Sequence, residues 1–61
     1  MVKEVLTVKD AASYMLSSTW KVYMMVKAGE LPHFRVGGKI LFRKETLDQW
    51  MAEQEKKSVN V

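Results

Sequence analysis

The fold is decided by the segment from Ser17 to Pro32, which reads Ser-Ser-Thr-Trp-Lys-Val-Tyr-Met-Met-Val-Lys-Ala-Gly-Glu-Leu-Pro. The two serines are candidate N-caps, because their hydroxyls can accept hydrogen bonds from the first free amides of a helix. The sequence predicts a helix from about Thr19 to Ala28. Gly29 can end that helix in the left-handed conformation, and the proline forbids its continuation.

A shorter helix is predicted just before this segment. Thr7 and Asp10 form a capping-box pattern, in which the hydroxyl accepts the amide hydrogen of Asp10 and the carboxylate reaches back. We expect the helix to end near Leu16. The apolar residues that share one face at helical spacing are Val8, Ala11, Ala12 and Met15. Two helices joined by about three residues predict a helix-turn-helix.

Residues 33–43 alternate between apolar and polar side chains and are interrupted by Gly37-Gly38, a pattern that predicts a β-hairpin. A two-residue loop would pair Val36 with Lys39 and divide the apolar residues between two faces. A three-residue loop from Gly37 to Lys39 would gather them on one face, so we prefer it. The apolar residues concerned are Phe34, Val36, Ile40 and Phe42. The outer face would then hold Arg35, Leu41 and Arg43, with Lys39 near the tip.

A third helix is predicted to begin near Lys44, with Leu47, Trp50 and Met51 as its apolar stripe. The polar tail from about Glu55 to Val61 is expected to fray. The chain is therefore predicted to be one α+β domain over residues 1–61, with an ordered core of about residues 6–54. Its predicted order is helix, helix, β-hairpin, helix. Aromatic and aliphatic residues assigned to the core by their periodicity include Tyr14, Val22, Phe34, Phe42 and Trp50.

Composition argues against several classes of protein. A chain of 61 residues is one domain at most, and with no cysteine and a single histidine we expect no zinc site. No apolar run approaches the roughly 20 residues of a membrane span, and no signal-peptide pattern is present. Ser17, Ser18 and His33 do not have the spacing of a nucleophile and its base. We therefore expect no enzyme, no cofactor, no small-molecule substrate and no membrane partner.

The net charge is +3, but it is unevenly distributed. From Ser18 to Lys44, six basic residues stand against one acid, Glu30, which gives +5; the remainder has four basic and six acidic residues, which gives −2. A basic middle favours a face built for a polyanion, and chance clustering on a solvated surface is the alternative. The six basic residues are Lys21, Lys27, Arg35, Lys39, Arg43 and Lys44.

Five segments, in their order and spacing, resemble the excisionase-family, MerR-like helix-turn-helix domain. They are Leu6–Ala12, Ser18–Tyr23, Ala28–Pro32, Arg35–Lys39 and Phe42–Trp50. The resemblance covers the chain from Leu6 to Met51. It implies a winged helix-turn-helix fold, with the second helix in the major groove of double-stranded DNA and the hairpin wing at the minor groove or backbone.

The resemblance also implies a role. Excisionases are recombination directionality factors that bend attachment-site DNA and assist an integrase, of the tyrosine or the serine type. MerR-type regulators carry a long dimerisation helix or effector domain after the same domain, whereas this chain ends soon after Trp50. We therefore expect an excisionase-like, cytoplasmic and nucleoid-associated protein of prokaryotic or phage type, with further copies of itself on DNA. The alternatives are a small transcription regulator and a protein-interaction module that uses an apolar patch around Trp20.

The predicted DNA contacts fall into two groups. The recognition helix contributes Ser18, Thr19, Trp20, Lys21, Tyr23, Met24 and Lys27. The wing and its flanks contribute Arg35, Gly37, Gly38, Lys39, Leu41, Arg43 and Lys44. These residues combine cations for phosphates, a helix N-terminus and a slim glycine tip.

The chain departs from the family pattern at three places. Leu16-Ser17 stands where the turn usually has Gly-Val, and Leu41 stands where arginine is common. Trp20 and Met24 stand on the outer helix face, where small or basic residues are usual. Trp20 could contact a thymine methyl or a sugar, bind a protein partner, or fold back against the wing or first helix.

Overall fold

The helices and strands follow one another with short connections. The computed structural model describes residues 4–59, so residues 60 and 61 of the tail expected to fray lie outside the described part. The elements are β1 (Val5–Thr7), α1 (Val8–Tyr14), α2 (Thr19–Lys27), β2 (Phe34–Val36), β3 (Lys39–Arg43) and α3 (Lys44–Val59). The α+β winged helix-turn-helix fold predicted from the sequence is confirmed. Two elements differ from the prediction: β1 was not expected, and α3 continues past the expected limit of about residue 54.

The N-caps predicted at Thr7 and Ser18 are present, whereas the other candidate, Ser17, precedes the cap of α2. The Thr7 hydroxyl accepts the amide of Asp10 at 3.2 Å, and the Asp10 carboxylate accepts the amide of Thr7 at 3.4 Å. The Ser18 hydroxyl accepts the amide of Lys21 at 3.1 Å and so begins α2. Each cap satisfies an amide that has no partner within its own helix, so the starts of α1 and α2 are fixed by local chemistry.

The two helices of the motif end in the same way. After α1, the amide of Ser17 donates to the carbonyl of Ala12 at 2.7 Å. Leu16, which lies between the C-cap residue Met15 and Ser17, has a φ of 55°. After α2, the amide of Glu30 donates to the carbonyl of Met25 at 2.9 Å, and Gly29 has a φ of 73°. Both are Schellman-type ends, which place one residue in the left-handed region. The reversal at Leu16 turns the chain from α1 into α2.

The strands form an antiparallel sheet in the order β1-β3-β2. β2 pairs with β3 through Val36 and Lys39, so the hairpin loop contains two residues and the three-residue loop is wrong. A two-residue loop of the II′ kind requires a positive φ only at its first residue, and Gly37 supplies it with a φ of 59°. The backbone conformation of the glycine turn, and not the burial of apolar side chains, therefore determines the register of the hairpin.

This register reverses the faces that were predicted for β2. Side chains opposite one another across a pair share a face, so Phe34 and Val36 lie on the outer face with Leu41, whereas Arg35 lies on the inner face with Ile40. Phe34 is 37% exposed, and its assignment to the core is wrong. The register of the three-residue loop gains nothing from burial of apolar side chains, because β2 is an edge strand and contributes no buried residue.

The core lies where α1, α2 and the start of α3 meet the inner face of β1 and β3. Its buried residues are Leu6, Val8, Ala11, Ala12, Val22, Val26, Leu31, Phe42 and Leu47. Trp50 packs against them and its indole Nε1 donates to the carbonyl of Glu30 at 2.9 Å, which fastens α3 to the segment after α2. Tyr14, also assigned to the core, is exposed instead. Within residues 4–59, no helix is long and apolar enough to cross a membrane.

Candidate nucleic-acid interface

α2 has two distinct faces, as its sequence pattern predicts. Val22 and Val26 are buried against the core, and Met25 is partly buried beside them. The outward side chains are all exposed: Thr19, Trp20, Lys21, Tyr23, Met24 and Lys27. α2 itself contains two lysines and no acidic residue, so the charge on this helix is entirely positive.

Trp20 lies on the outward face and is 68% exposed. The alternative in which it folds back against the wing or α1 is therefore excluded by its exposure. Met24, one helical turn further on, is 45% exposed, so the two side chains form an apolar pair that the rest of the described chain leaves open to solvent. Lys21 lies between the two in sequence, at the edge of this face, and Lys27 follows Met24 on the same face.

A groove of about 410 Å³ lies between α2 and the wing. Its lining includes Tyr23 from α2, Gly38, Lys39 and Leu41 from the wing, and Thr7 and Lys9 from the start of α1. None of the described residues that line it is acidic, and it holds two lysines. An anionic strand following this groove would meet the tyrosine hydroxyl and both ammonium groups, which are suitable donors to phosphate oxygens.

Lys9 was missed among the candidate contacts from sequence. It lies in the first turn of α1, and its position beside Lys39 depends on β1, which pairs with β3 and brings the start of α1 next to the wing. Since β1 has only three residues, its alternation is too short to signal a strand. Charge gave no signal either, because Lys3 and Lys9 are matched by Glu4 and Asp10 in the same segment.

Lys44 was predicted to contact phosphate, and the structure places it in an intramolecular cluster. Its ammonium donates to Asp48 at 2.9 Å and lies 5.2 Å from the centre of the Tyr14 ring. The Tyr14 hydroxyl donates to the other oxygen of the same carboxylate. The hydrogen bond with Asp48 raises the pKa of Lys44, and the hydrogen bonds from Tyr14 and then Lys44 lower the pKa of Asp48. The ion pair thus opposes the use of Lys44 as a phosphate ligand.

The remaining cations of the wing are dispersed. Arg43 lies at the far end of β3 from the glycine tip, beside a cavity of about 560 Å³ that is also lined by Glu4, Glu45 and Asp48. This larger cavity is unsuited to a polyanion, because its carboxylates outnumber its two cations. Arg35 lies on the inner face of the edge strand, on the opposite side of the sheet from Lys39 and Arg43. The structure thus brings together α2, the wing tip and Lys9, and separates them from Arg35, Arg43 and Lys44.

Two helices joined by a tight reversal, a second helix with a basic outward face, and a hairpin beside it define a winged helix-turn-helix domain, which is a DNA-binding class. The family model described as the helix-turn-helix domain matches residues 5–55. The chain belongs to that family, which includes excisionase-like DNA-binding domains and is typically non-enzymatic. No curated protein and no solved structure matches the chain.

Proposed function

We propose that the chain binds double-stranded DNA sequence-specifically, with α2 in the major groove and the Gly37-Gly38 tip at the adjacent backbone or minor groove. The observation that carries the proposal is the acid-free basic face of α2 beside the groove that holds Lys9 and Lys39. The phosphate contacts in this arrangement come from four lysines: Lys9, Lys21, Lys27 and Lys39. Ser18, Thr19 and Tyr23 supply neutral donors on the same side.

We further propose that the protein acts as a recombination directionality factor, which binds and bends attachment-site DNA and assists an integrase in the cytoplasm. This role is supported by the family, which includes excisionase-like domains. One domain with about four phosphate contacts binds weakly at physiological salt. Bending a site of 20–30 base pairs costs on the order of 1–6 kcal/mol, so further copies or the integrase must add contacts.

The salt dependence of binding tests the first proposal. Fluorescence anisotropy of a labelled random 20-base-pair duplex should show binding that weakens about tenfold when the salt concentration is doubled, because four contacts release about four counterions. Lys39→Ala should lower both the affinity and the slope of log K against log salt, by about 0.9 in the slope. Lys57→Ala removes the same charge from the last turn of α3 and should leave both unchanged. Absence of binding at low salt, or equal effects of both variants, would contradict the proposal.

The arrangement of binding sites tests the second proposal. Selection of preferred sequences, followed by footprinting, should give head-to-tail sites, and circular-permutation gel shifts should show that the bound DNA is bent. A single palindromic site on straight DNA would identify a dimeric transcription regulator instead. Binding to a protein partner that tolerates salt, with no affinity for duplexes, would identify an interaction module.

A further inference from the structure

The recognition helix presents an apolar pair where a DNA-binding helix usually presents polar groups. Trp20 is the second residue of α2 and Met24 lies one turn later on the same face; they are 68% and 45% exposed. The first residues of a recognition helix are the ones that reach base edges in the major groove. Since Val22 and Val26 occupy the core-facing side, rotation of α2 cannot bury the pair without exposing the core.

The side chains on this face lack the usual partners for adenine and cytosine, and for guanine they offer only lysine. Among the outward residues of α2 there is no arginine for guanine, no asparagine or glutamine for adenine, and no carboxylate for cytosine. Lys21 and Lys27 could reach guanine, but the proposed binding mode assigns both lysines to phosphates. Thymine remains, and its C5-methyl group is the one apolar feature that a standard base presents in the major groove.

The charge around the pair favours DNA as its occupant over an apolar protein surface. Lys27 follows Trp20 and Met24 on the same face of a helix without acidic residues, Lys21 lies at the edge of that face, and Lys39 lies across the neighbouring groove. DNA is a polyanion with apolar groups in its major groove, so it suits a surface on which cations lie next to an apolar pair.

We propose that Trp20 and Met24 read thymine by van der Waals contact with its C5-methyl group, so that the preferred site carries thymines at the positions under α2. This inference rests on the proposed DNA binding and adds its specificity. The two side chains give complementary contacts: the indole offers a flat surface, and the thioether adapts to the methyl that it meets. The lysines hold the helix in the groove without choosing the base.

The test uses pairs of duplexes that differ only in the C5-methyl group. Anisotropy titrations at low salt compare a 20-base-pair alternating A·T duplex with its uracil counterpart, and an alternating G·C duplex with its 5-methylcytosine counterpart. Wild-type protein should bind the methylated member of each pair roughly five- to tenfold more tightly, the effect of burying one or two methyl groups. The second pair separates the methyl group from the groove shape of A·T sequences.

Two variants assign the effect to residues. Trp20→Ala should bring the ratio of affinities within each pair closer to one, with Met24 keeping the remainder. Because Trp20 is exposed, the fold should survive, as circular dichroism can verify. Lys21→Ala, the matched control, should weaken binding to all four duplexes and keep the ratio.

The outcomes separate this inference from the function on which it rests. Equal affinities within both pairs would overturn methyl reading and leave DNA binding intact. Undiminished discrimination in Trp20→Ala would overturn the assignment to Trp20. No binding to any duplex at low salt would overturn the proposed function, and the inference with it.

Discussion

Leu16 adopts a φ of 55° at the reversal between α1 and α2, and its side chain is 94% exposed. The left-handed region costs a residue with a Cβ roughly 1–2 kcal/mol relative to the right-handed one. Burial of the leucine side chain does not offset this cost. The equivalent position after α2 is occupied by Gly29, which adopts the same conformation without steric penalty. The same lack of a steric penalty explains the glycine that the family pattern usually has at the first reversal.

Leu16→Gly should therefore stabilise the protein. The relief of backbone strain, less the greater chain entropy of glycine in the unfolded state, leaves a gain of roughly 0.5–1 kcal/mol. For a domain of this size that gain raises Tm by roughly 4 °C, which thermal unfolding monitored by circular dichroism can measure. Leu16→Ala keeps the Cβ and removes only exposed atoms, so its Tm should stay close to that of the wild type. A Leu16→Gly variant that melts at or below the wild-type temperature would contradict this account.

The register of the hairpin determines which of its two phenylalanines belongs to the core. Phe42 is fully buried on the inner face of β3, whereas Phe34 lies on the outer face of β2. Phe42→Ala should cost about 3–5 kcal/mol and leave so small a domain largely unfolded. Phe34→Ala should cost less than about 1 kcal/mol, as substitutions outside the core do. Urea unfolding of both variants checks the register: similar large losses would indicate that Phe34 is buried and that the loop has three residues.

The elements that sequence predicts well are those whose signals are local. Thr7 with Asp10, Ser18, and Gly29 before Pro32 fix helix ends through contacts with residues at most a few positions away. β1 could not be found in this way, because three residues form a strand only by pairing with β3, far along the chain. The loop length was undetermined for another reason: Gly37-Gly38 permits either loop, and the apolar pattern favoured the wrong one.

The candidate site shows the same division between local and distant information. The outward face of α2 follows from helical periodicity, so Trp20, Lys21 and Lys27 could be placed from sequence. The proximity of Lys9 to Lys39 and the ion pair of Lys44 depend on tertiary contacts that no local pattern encodes.

In the molecule as a whole, α3 connects segments that are distant in the chain. Its first amide, that of Lys44, donates to the carbonyl of Glu4 at 2.9 Å, and Trp50 donates to the carbonyl of Glu30. Asp48 accepts the hydroxyl of Tyr14, which joins α3 to α1. A domain of this length buries too little surface to rely on its core alone, so these polar contacts matter to the orientation of α1 and α2.

The carboxylate of Asp48 makes this tertiary contact sensitive to acid. Its pKa in the folded protein is lowered by the hydrogen bonds from Tyr14 and Lys44, so its contribution to stability is present above the ordinary value of 3.8 and is lost as pH falls through the lowered value. Asp48→Asn keeps the shape and an acceptor for Tyr14 but removes the charge. The urea midpoint of the wild type should exceed that of Asp48→Asn at about pH 6, and the difference should shrink by about pH 2.

Glu53→Gln removes a charge from the same helix at a position without a salt bridge among the described residues, so its urea midpoint should stay near that of the wild type at about pH 6. A difference between the wild type and Asp48→Asn that is the same at both pH values would show that the charge of Asp48 does not hold α3 to α1.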